Sequence, residues 1–257
     1  AVLVYVLVAG GAANLLTAWF STDSDLADFA LGHFPPLILL IAAGIVFVRF
    51  SGWSRYVWRT PASFETRPRR WWMLAFPVLL LAQSIILLTL VPWAGWDVGA
   101  VLVVAAGTAL VGIGEELYFR GILRASLRSH HGETLALVVT SLLFGLGHSL
   151  GSVMNGLDGG FIVFQVGVTA LDGAILYGAF RATGRLWVPM VLHAFSDFTL
   201  YLANNDLADK TGSEISTSPA NTAIESVLWV LAIVLLISCI RQDLRTRREQ
   251  HATPAPA

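Results

Sequence analysis

The chain has 257 residues, of which 56% are hydrophobic and only 13% charged, with a formal net charge of -1. A soluble domain carries about a quarter charged residues, so water is not the main solvent of this fold, and nothing in the charge balance points to nucleic acid. A single cysteine, Cys239, excludes an intrachain disulfide and a cysteine-built zinc site.

In chain order, eight apolar blocks approach the ~20 residues that a helix needs to cross hydrocarbon. They are residues 2–20, 29–50, 71–93, 98–118, 134–152, 160–180, 186–203 and 222–240. The first has no basic n-region and is read as a transmembrane helix rather than a signal peptide. The expected fold class is therefore all-α. Residues 1–257 form one polytopic membrane helix bundle of about eight transmembrane helices, with a motif-bearing core at 98–203. The tail from about 245 to 257 is basic, ends in Ala-Thr-Pro-Ala-Pro-Ala and is expected to be disordered.

Orientation follows from the arginines, because cytoplasmic loops retain basic residues. Arg49, Arg55, Arg59, Arg67, Arg69 and Arg70 fall in the second loop. Arg120, Arg124 and Arg128 fall in the fourth, Arg181 and Arg185 in the sixth, and Arg241, Arg245, Arg247 and Arg248 after the last helix. The other loops hold Asp23, Asp25, Asp28, Asp97, Asp158, Asp206, Asp209 and Glu214, with Lys210 as their one basic residue. That alternation predicts an even number of crossings with both termini cytoplasmic. Trp71, Trp72, Trp93, Trp96 and Trp187 sit at predicted helix ends, where amphipathic rings prefer the interface.

Charges inside predicted spans need a reason, since one at the bilayer centre costs about 2.5–3.5 kcal/mol even on the lenient insertion scale. Glu115, Glu116, Asp172 and Asp197 are such residues. In Gly114-Glu115-Glu116-Leu117-Tyr118-Phe119-Arg120, adjacent helical positions point about 100° apart, so the two glutamates serve different purposes. Glu116 and Arg120 share a face in the favourable acid-first order. Glu115 is left without an intrahelical partner and is a candidate general base or acid. The competing structural reading pairs both glutamates with Arg120 and Arg124.

On the fifth predicted helix, Phe144-Gly145-Leu146-Gly147-His148 places Phe144 and His148 on one face, and its glycines allow close approach of a neighbouring backbone. On the seventh, His193-Ala194-Phe195-Ser196-Asp197 places a histidine and a carboxylate on one face. One glutamate and two histidines, one of them backed by an aspartate, can activate water or hold a divalent metal such as zinc. No His-Glu-x-x-His pair is present, so the site is not an ordinary zincin. A helix starting at residue 134 puts His148 about 21 Å along it, deeper than Glu115 at the inner end of the fourth helix. The two meet if residues 121–132 form an interfacial segment and the fifth helix tilts or starts late. Two other function classes compete: a proton- or ion-coupled transporter, which the lack of a matching polar set in the first half disfavours, and a non-catalytic membrane scaffold.

At these residues the sequence resembles the CAAX prenyl endopeptidase and bacteriocin-processing family of membrane proteases. Its signature is Glu-Glu-x-x-x-Arg, then Phe-x-x-x-His, then His-x-x-x-Asn or Asp. All three occur here in order, and Thr183-Gly184-Arg185-Leu186-Trp187-Val188-Pro189 is similar to the family's approach to the third. The resemblance covers roughly residues 98–200. It implies an intramembrane endopeptidase in which Glu115 and His148 activate the attacking water. It implies that His193 and Asp197 stabilise the oxyanion or bind a metal, and that Glu116 with Arg120 supports the helix geometry. An ionised Asp197 only accepts hydrogen bonds, so it suits orienting His193, or ligating metal, better than holding an oxyanion. If a metal is present, Glu115, His148, His193 and Asp197 are its expected ligands. The expected partners are the lipid bilayer and a peptide or membrane-protein substrate, a prenylated protein or a leader peptide among the candidates. Compact size and arginine-rich loops point to a bacterial plasma membrane.

Overall fold

A computed structural model describes residues 1–20, 23–154, 156–204 and 218–252, and these fold into helices joined by short turns. Among the described residues there is no named strand, only an isolated bridge between Arg59 and Arg185. The main helices are α1 (Val2–Trp19), α2 (Asp25–Phe50), the short α3 (Ser54–Trp58), α4 (Ala75–Leu90) and α5 (Val98–Glu116). After α5 come a π-helical segment (Leu117–Leu123), the short α6 (Arg124–Arg128), α7 (Glu133–Met154), α8 (Gly159–Thr183), α9 (Trp187–Asn204) and α10 (Pro219–Ala252).

Among the described residues, six helices are long and apolar enough to cross a membrane. They are Asp25–Phe50, Trp71–Leu90, Val98–Arg128, Glu133–Met154, Gly159–Thr183 and Pro219–Gln250. All eight expected spans coincide with helices, but two fall outside this set. In α1 the fully described apolar stretch is Val2–Gly11. In α9 the polar residues His193, Ser196 and Asp197 interrupt an 18-residue helix.

Several helix starts follow from side-chain caps. Asp97 accepts the amide of Ala100 at 3.0 Å, and Asp158 accepts those of Gly160 at 2.8 Å and Phe161 at 3.2 Å. Each carboxylate satisfies donors that a helix start leaves orphaned. Two of the acidic loop residues used for orientation thus also have a local structural role. Asp206, Asp209, Lys210 and Glu214 lie outside the described residues.

Two expectations need correction. The fourth expected span does not end near residue 118. The helix continues through the π-helical segment and α6 to Arg128, so residues 121–128 prolong α5 and do not form a separate segment. Arg120 and Arg124, counted as loop residues, are consequently buried inside the bundle. The second correction concerns the tail. Helix α10 runs to Ala252, into the stretch expected to be disordered from about 245, because Arg, Glu and Gln are good helix formers and no Gly or Pro interrupts them before Pro254.

Helix α5 is central, packed between α2 and α9, while α7 lies along α8 and α10 closes against α4, α7 and α8. Two glycines set the closest approaches. A Cβ on Gly112 would lie 2.6 Å from the Met190 carbonyl of α9, and one on Gly145 would lie 2.5 Å from the Val166 carbonyl of α8. Without side chains there, the backbones of α5 and α9, and of α7 and α8, meet directly. At the other end of α8, Gly184 adopts φ 66 as the C-cap, and a Cβ would lie 2.1 Å from the Thr60 carbonyl. The conformation and the crowding together require glycine at that turn. Outward faces carry exposed Leu39, Leu102, Val163, Val191 and Val230, as a lipid-facing bundle requires.

Candidate active site

The three motifs converge from α5, α7 and α9. Glu115 Oε2 lies 3.8 Å from His148 Nε2 and 3.8 Å from His193 Nε2. Asp197 Oδ2, one turn along α9, lies 3.5 Å from the same nitrogen of His193. The expected mismatch in height does not arise. Glu115 is 13 residues before Arg128 (128 − 115) and His148 is 15 residues after Glu133 (148 − 133). At 1.5 Å per residue these are depths of about 20 and 22 Å along two helices running in opposite directions. Their near ends are tied by the 3.0 Å contact of Arg128 Nε with Glu133. Prolonging the fourth helix, not delaying the fifth, brings the pair level.

The two glutamates occupy different environments, as their spacing predicts. Glu116 is fully buried, and its Oε1 accepts from Arg120 Nη1 at 2.8 Å. Arg120, also fully buried, donates from Nη2 to the Gly173 carbonyl at 2.8 Å and places its guanidinium 4.2 Å from the Phe144 ring centroid. That Arg sits at the seam of α5, α7 and α8, with Nη1, Nη2 and the guanidinium face engaged and Nε without a hydrogen bond to any described residue. The π-helical segment begins directly after Glu116, a local widening often found at functional sites. Glu115 has none of these contacts. Its Oε2 is buried and makes no hydrogen bond to any described residue.

Hydrogen bonding fixes the face that each histidine presents. His148 Nδ1 is 2.9 Å from the Phe144 carbonyl. A carbonyl only accepts, so Nδ1 carries the proton and a neutral His148 turns the lone pair of Nε2 toward Glu115. Two acceptors cannot bond each other directly, which accounts for the 3.8 Å gap. That gap suits a molecule that donates to both, and a single water does. His193 is held differently: Nδ1 lies 3.2 Å from Glu116 Oε1, while Nε2 faces Asp197 and Glu115. Phe144 packs against both rings, tilted to His148 with centroids 4.6 Å apart and edge-on to His193 at 5.8 Å. The side chain of His148 is 36% exposed and that of His193 only 8%, so the site opens on the α7 side.

With this geometry in hand, the comparisons with known proteins are informative. Residues 96–199 match the family described as type II CAAX prenyl endopeptidase Rce1-like. It is the family whose motif trio the sequence resembles, and the matched stretch holds every residue of the trio. The match spans 104 of the 257 residues (96 to 199). No curated protein and no solved structure matches the chain.

A metal was expected only as an option, with Glu115, His148, His193 and Asp197 as ligands. Among the described residues, no group of three or more His, Cys, Asp or Glu side chains is arranged to hold one. The second nitrogens of both histidines are engaged, by the Phe144 carbonyl and by Glu116.

Sequence reasoning missed two contributors. Tyr5 of α1 stacks on Tyr118 at 4.5 Å, and its buried hydroxyl makes no hydrogen bond to any described residue. That hydroxyl lies against Gly114, where a Cβ would be 2.8 Å from it, one residue from Glu115. No motif marks it, because α1 reads only as hydrophobic. The second is Asp243 of α10, whose carboxylate accepts the amides of Glu133 and Thr134, both at 2.9 Å, and so caps α7 from 110 residues away. Asp172, conspicuous in the sequence as an intramembrane charge, lies on α8 beside Gly173, within electrostatic reach of His148 and His193.

Proposed function

We propose that the chain is an intramembrane endopeptidase that hydrolyses a peptide bond of a membrane-associated substrate, using water activated by Glu115 and His148. The observation that carries this reading is the buried, unpartnered Glu115 Oε2, which faces the Nε2 atoms of histidines from two other helices. Water seated in the gap donates to Glu115 Oε2 and His148 Nε2, leaving a lone pair on its oxygen for the scissile carbonyl carbon. Glu115 takes a proton as the C–O bond forms. The carbonyl electron pair moves onto oxygen, where an N–H from His193 Nε2 stabilises the tetrahedral oxyanion. Glu116 at Nδ1 orients that imidazole, and Asp197 lies beside it at 3.5 Å from Nε2. Collapse of the intermediate breaks the C–N bond, and Glu115 returns its proton to the leaving amine. The route runs on carboxylate and imidazole groups alone.

The arginine distribution and the positions of α1 and α9 in the bundle support eight crossings with both termini cytoplasmic, in a bacterial plasma membrane. Prenylated proteins are the substrate class that the family match favours, with leader peptides as the other candidate. The test is cleavage of a library of prenylated and unmodified membrane peptides by purified protein in detergent, with products mapped by mass spectrometry. Wild type should cleave, His148→Ala should lose activity while remaining folded, and chelator should leave the rate unchanged. Failure of the wild type on every peptide, or equal activity in His148→Ala, would overturn the proposal. Loss on chelation that added zinc restores would replace the metal-free route with a metal-assisted one.

A further inference from the structure

A second polar site lies away from Glu115. Where α10 meets the segment leading into α4, a cavity of about 410 Å³ is lined by Arg70, Trp72, Val234, Ile237, Arg241 and Arg245, among others. Its chemistry is two-part. Val234, Ile237, Arg241 and Arg245 recur at spacings of three to four residues, so they share one face of α10. That face changes from aliphatic to basic at Arg241, the last turns of a span that ends at Gln250. Trp72 stands opposite, at the start of the span Trp71–Leu90. The cavity therefore straddles one membrane interface.

Its three guanidinium groups are uncompensated. Among the described residues, no carboxylate forms an ion pair with Arg70, Arg241 or Arg245, whereas Arg120, Arg128 and Arg181 all have one. The nearest acidic residue on α10, Asp243, is turned away to cap α7. Gln242, which also lines the cavity, accepts from Arg181 at 3.2 Å. Three like charges around one hollow repel each other and call for an anion with several acceptor oxygens. A phosphate fits guanidinium forks best.

We propose that this cavity binds the phosphate of an anionic phospholipid headgroup, held by Arg70, Arg241 and Arg245, with an acyl chain running along Val234 and Ile237. The aliphatic lower wall and the interfacial Trp72 favour a lipid over a soluble phosphate compound, since a soluble ligand has no use for them. Occupancy offsets part of the charge of the arginine cluster and ties α10 to the segment ahead of α4.

The experiment is thermal melting of the delipidated protein in a neutral detergent, with added phosphatidylglycerol, phosphatidylcholine or inorganic phosphate. Arg70→Gln/Arg241→Gln/Arg245→Gln is compared with wild type and with Arg55→Gln, an exposed arginine outside the cavity. A ligand specific to the folded state should raise Tm by about 5 °C or more at a hundredfold excess over Kd. Phosphatidylglycerol should do so for wild type and Arg55→Gln but not for the triple variant, and phosphatidylcholine for none. Should the triple variant not fold, Arg245→Gln alone should give a reduced shift, because each protein is read against its own lipid-free melt. An equal shift from inorganic phosphate would overturn the lipid assignment and leave a soluble phosphate compound as the ligand. No shift, or one that survives in the triple variant, would overturn the site.

Discussion

The most informative perturbation of the scaffold is Arg120→Leu. The side chain is wholly buried, bonded to Glu116 and to the Gly173 carbonyl at 2.8 Å each, and set 4.2 Å over Phe144. Removing it leaves the buried Glu116 carboxylate without its arginine and with only the His193 Nδ1 contact at 3.2 Å, which costs about 3–5 kcal/mol. The Gly173 carbonyl also loses its donor, worth about 1 kcal/mol or more. These losses overlap, so the expected total is about 5 kcal/mol against a global stability of roughly 5–15 kcal/mol. Glu116→Leu/Arg120→Leu should recover much of this, because no uncompensated charge remains in the core. Its cleavage activity should stay lost, since His193 Nδ1 no longer has its acceptor at 3.2 Å. The assay is equilibrium unfolding in mixed micelles, followed by tryptophan fluorescence. A loss below about 1 kcal/mol in Arg120→Leu, or a double variant no more stable than the single one, would refute the reasoning.

Other outcomes follow from single contacts. Asp243→Ala removes the acceptor of two α7 amides and should cost about 1–2 kcal/mol, with the cleavage rate per folded molecule unchanged. A fall in that rate would mean that the capped end of α7 feeds into the site. Tyr5→Phe deletes a buried hydroxyl that makes no hydrogen bond to any described residue, so stability should hold or rise by about 1 kcal/mol; a drop in Tm would show that the hydroxyl is satisfied after all. Gly112→Ala puts a Cβ 2.6 Å from the Met190 carbonyl. It should cost about 1–3 kcal/mol and slow cleavage by moving Glu115 away from His193, and a neutral result would mean that α5 and α9 are not held together there.

Much of this was legible in the sequence because the bilayer writes a strong pattern. Each apolar block became a helix, and the four-residue spacing of Glu116 and Arg120 foretold their ion pair. What could not be read depends on tertiary partners. Arg120 and Arg124 lower the local hydropathy and suggest a loop, yet both are helical. Beyond the Glu116 partner that the spacing foretold, their charges are met by groups far away in sequence: the Gly173 carbonyl for Arg120 and the Tyr56 carbonyl for Arg124. That misplaced helix end produced the apparent mismatch in depth between Glu115 and His148. Tyr5 and Asp243 escaped notice for a related reason, because each acts on a helix that only folding brings near.

The central claim is that Glu115 activates the attacking water, and Glu115→Gln tests it most directly. The substitution keeps the shape, and Oε2 has no hydrogen bond to lose, so the melting temperature should not fall. The turnover number on a cleaved peptide should drop by about 10²–10⁴-fold, the usual contribution of a general base. An unchanged turnover number in folded Glu115→Gln would contradict the account.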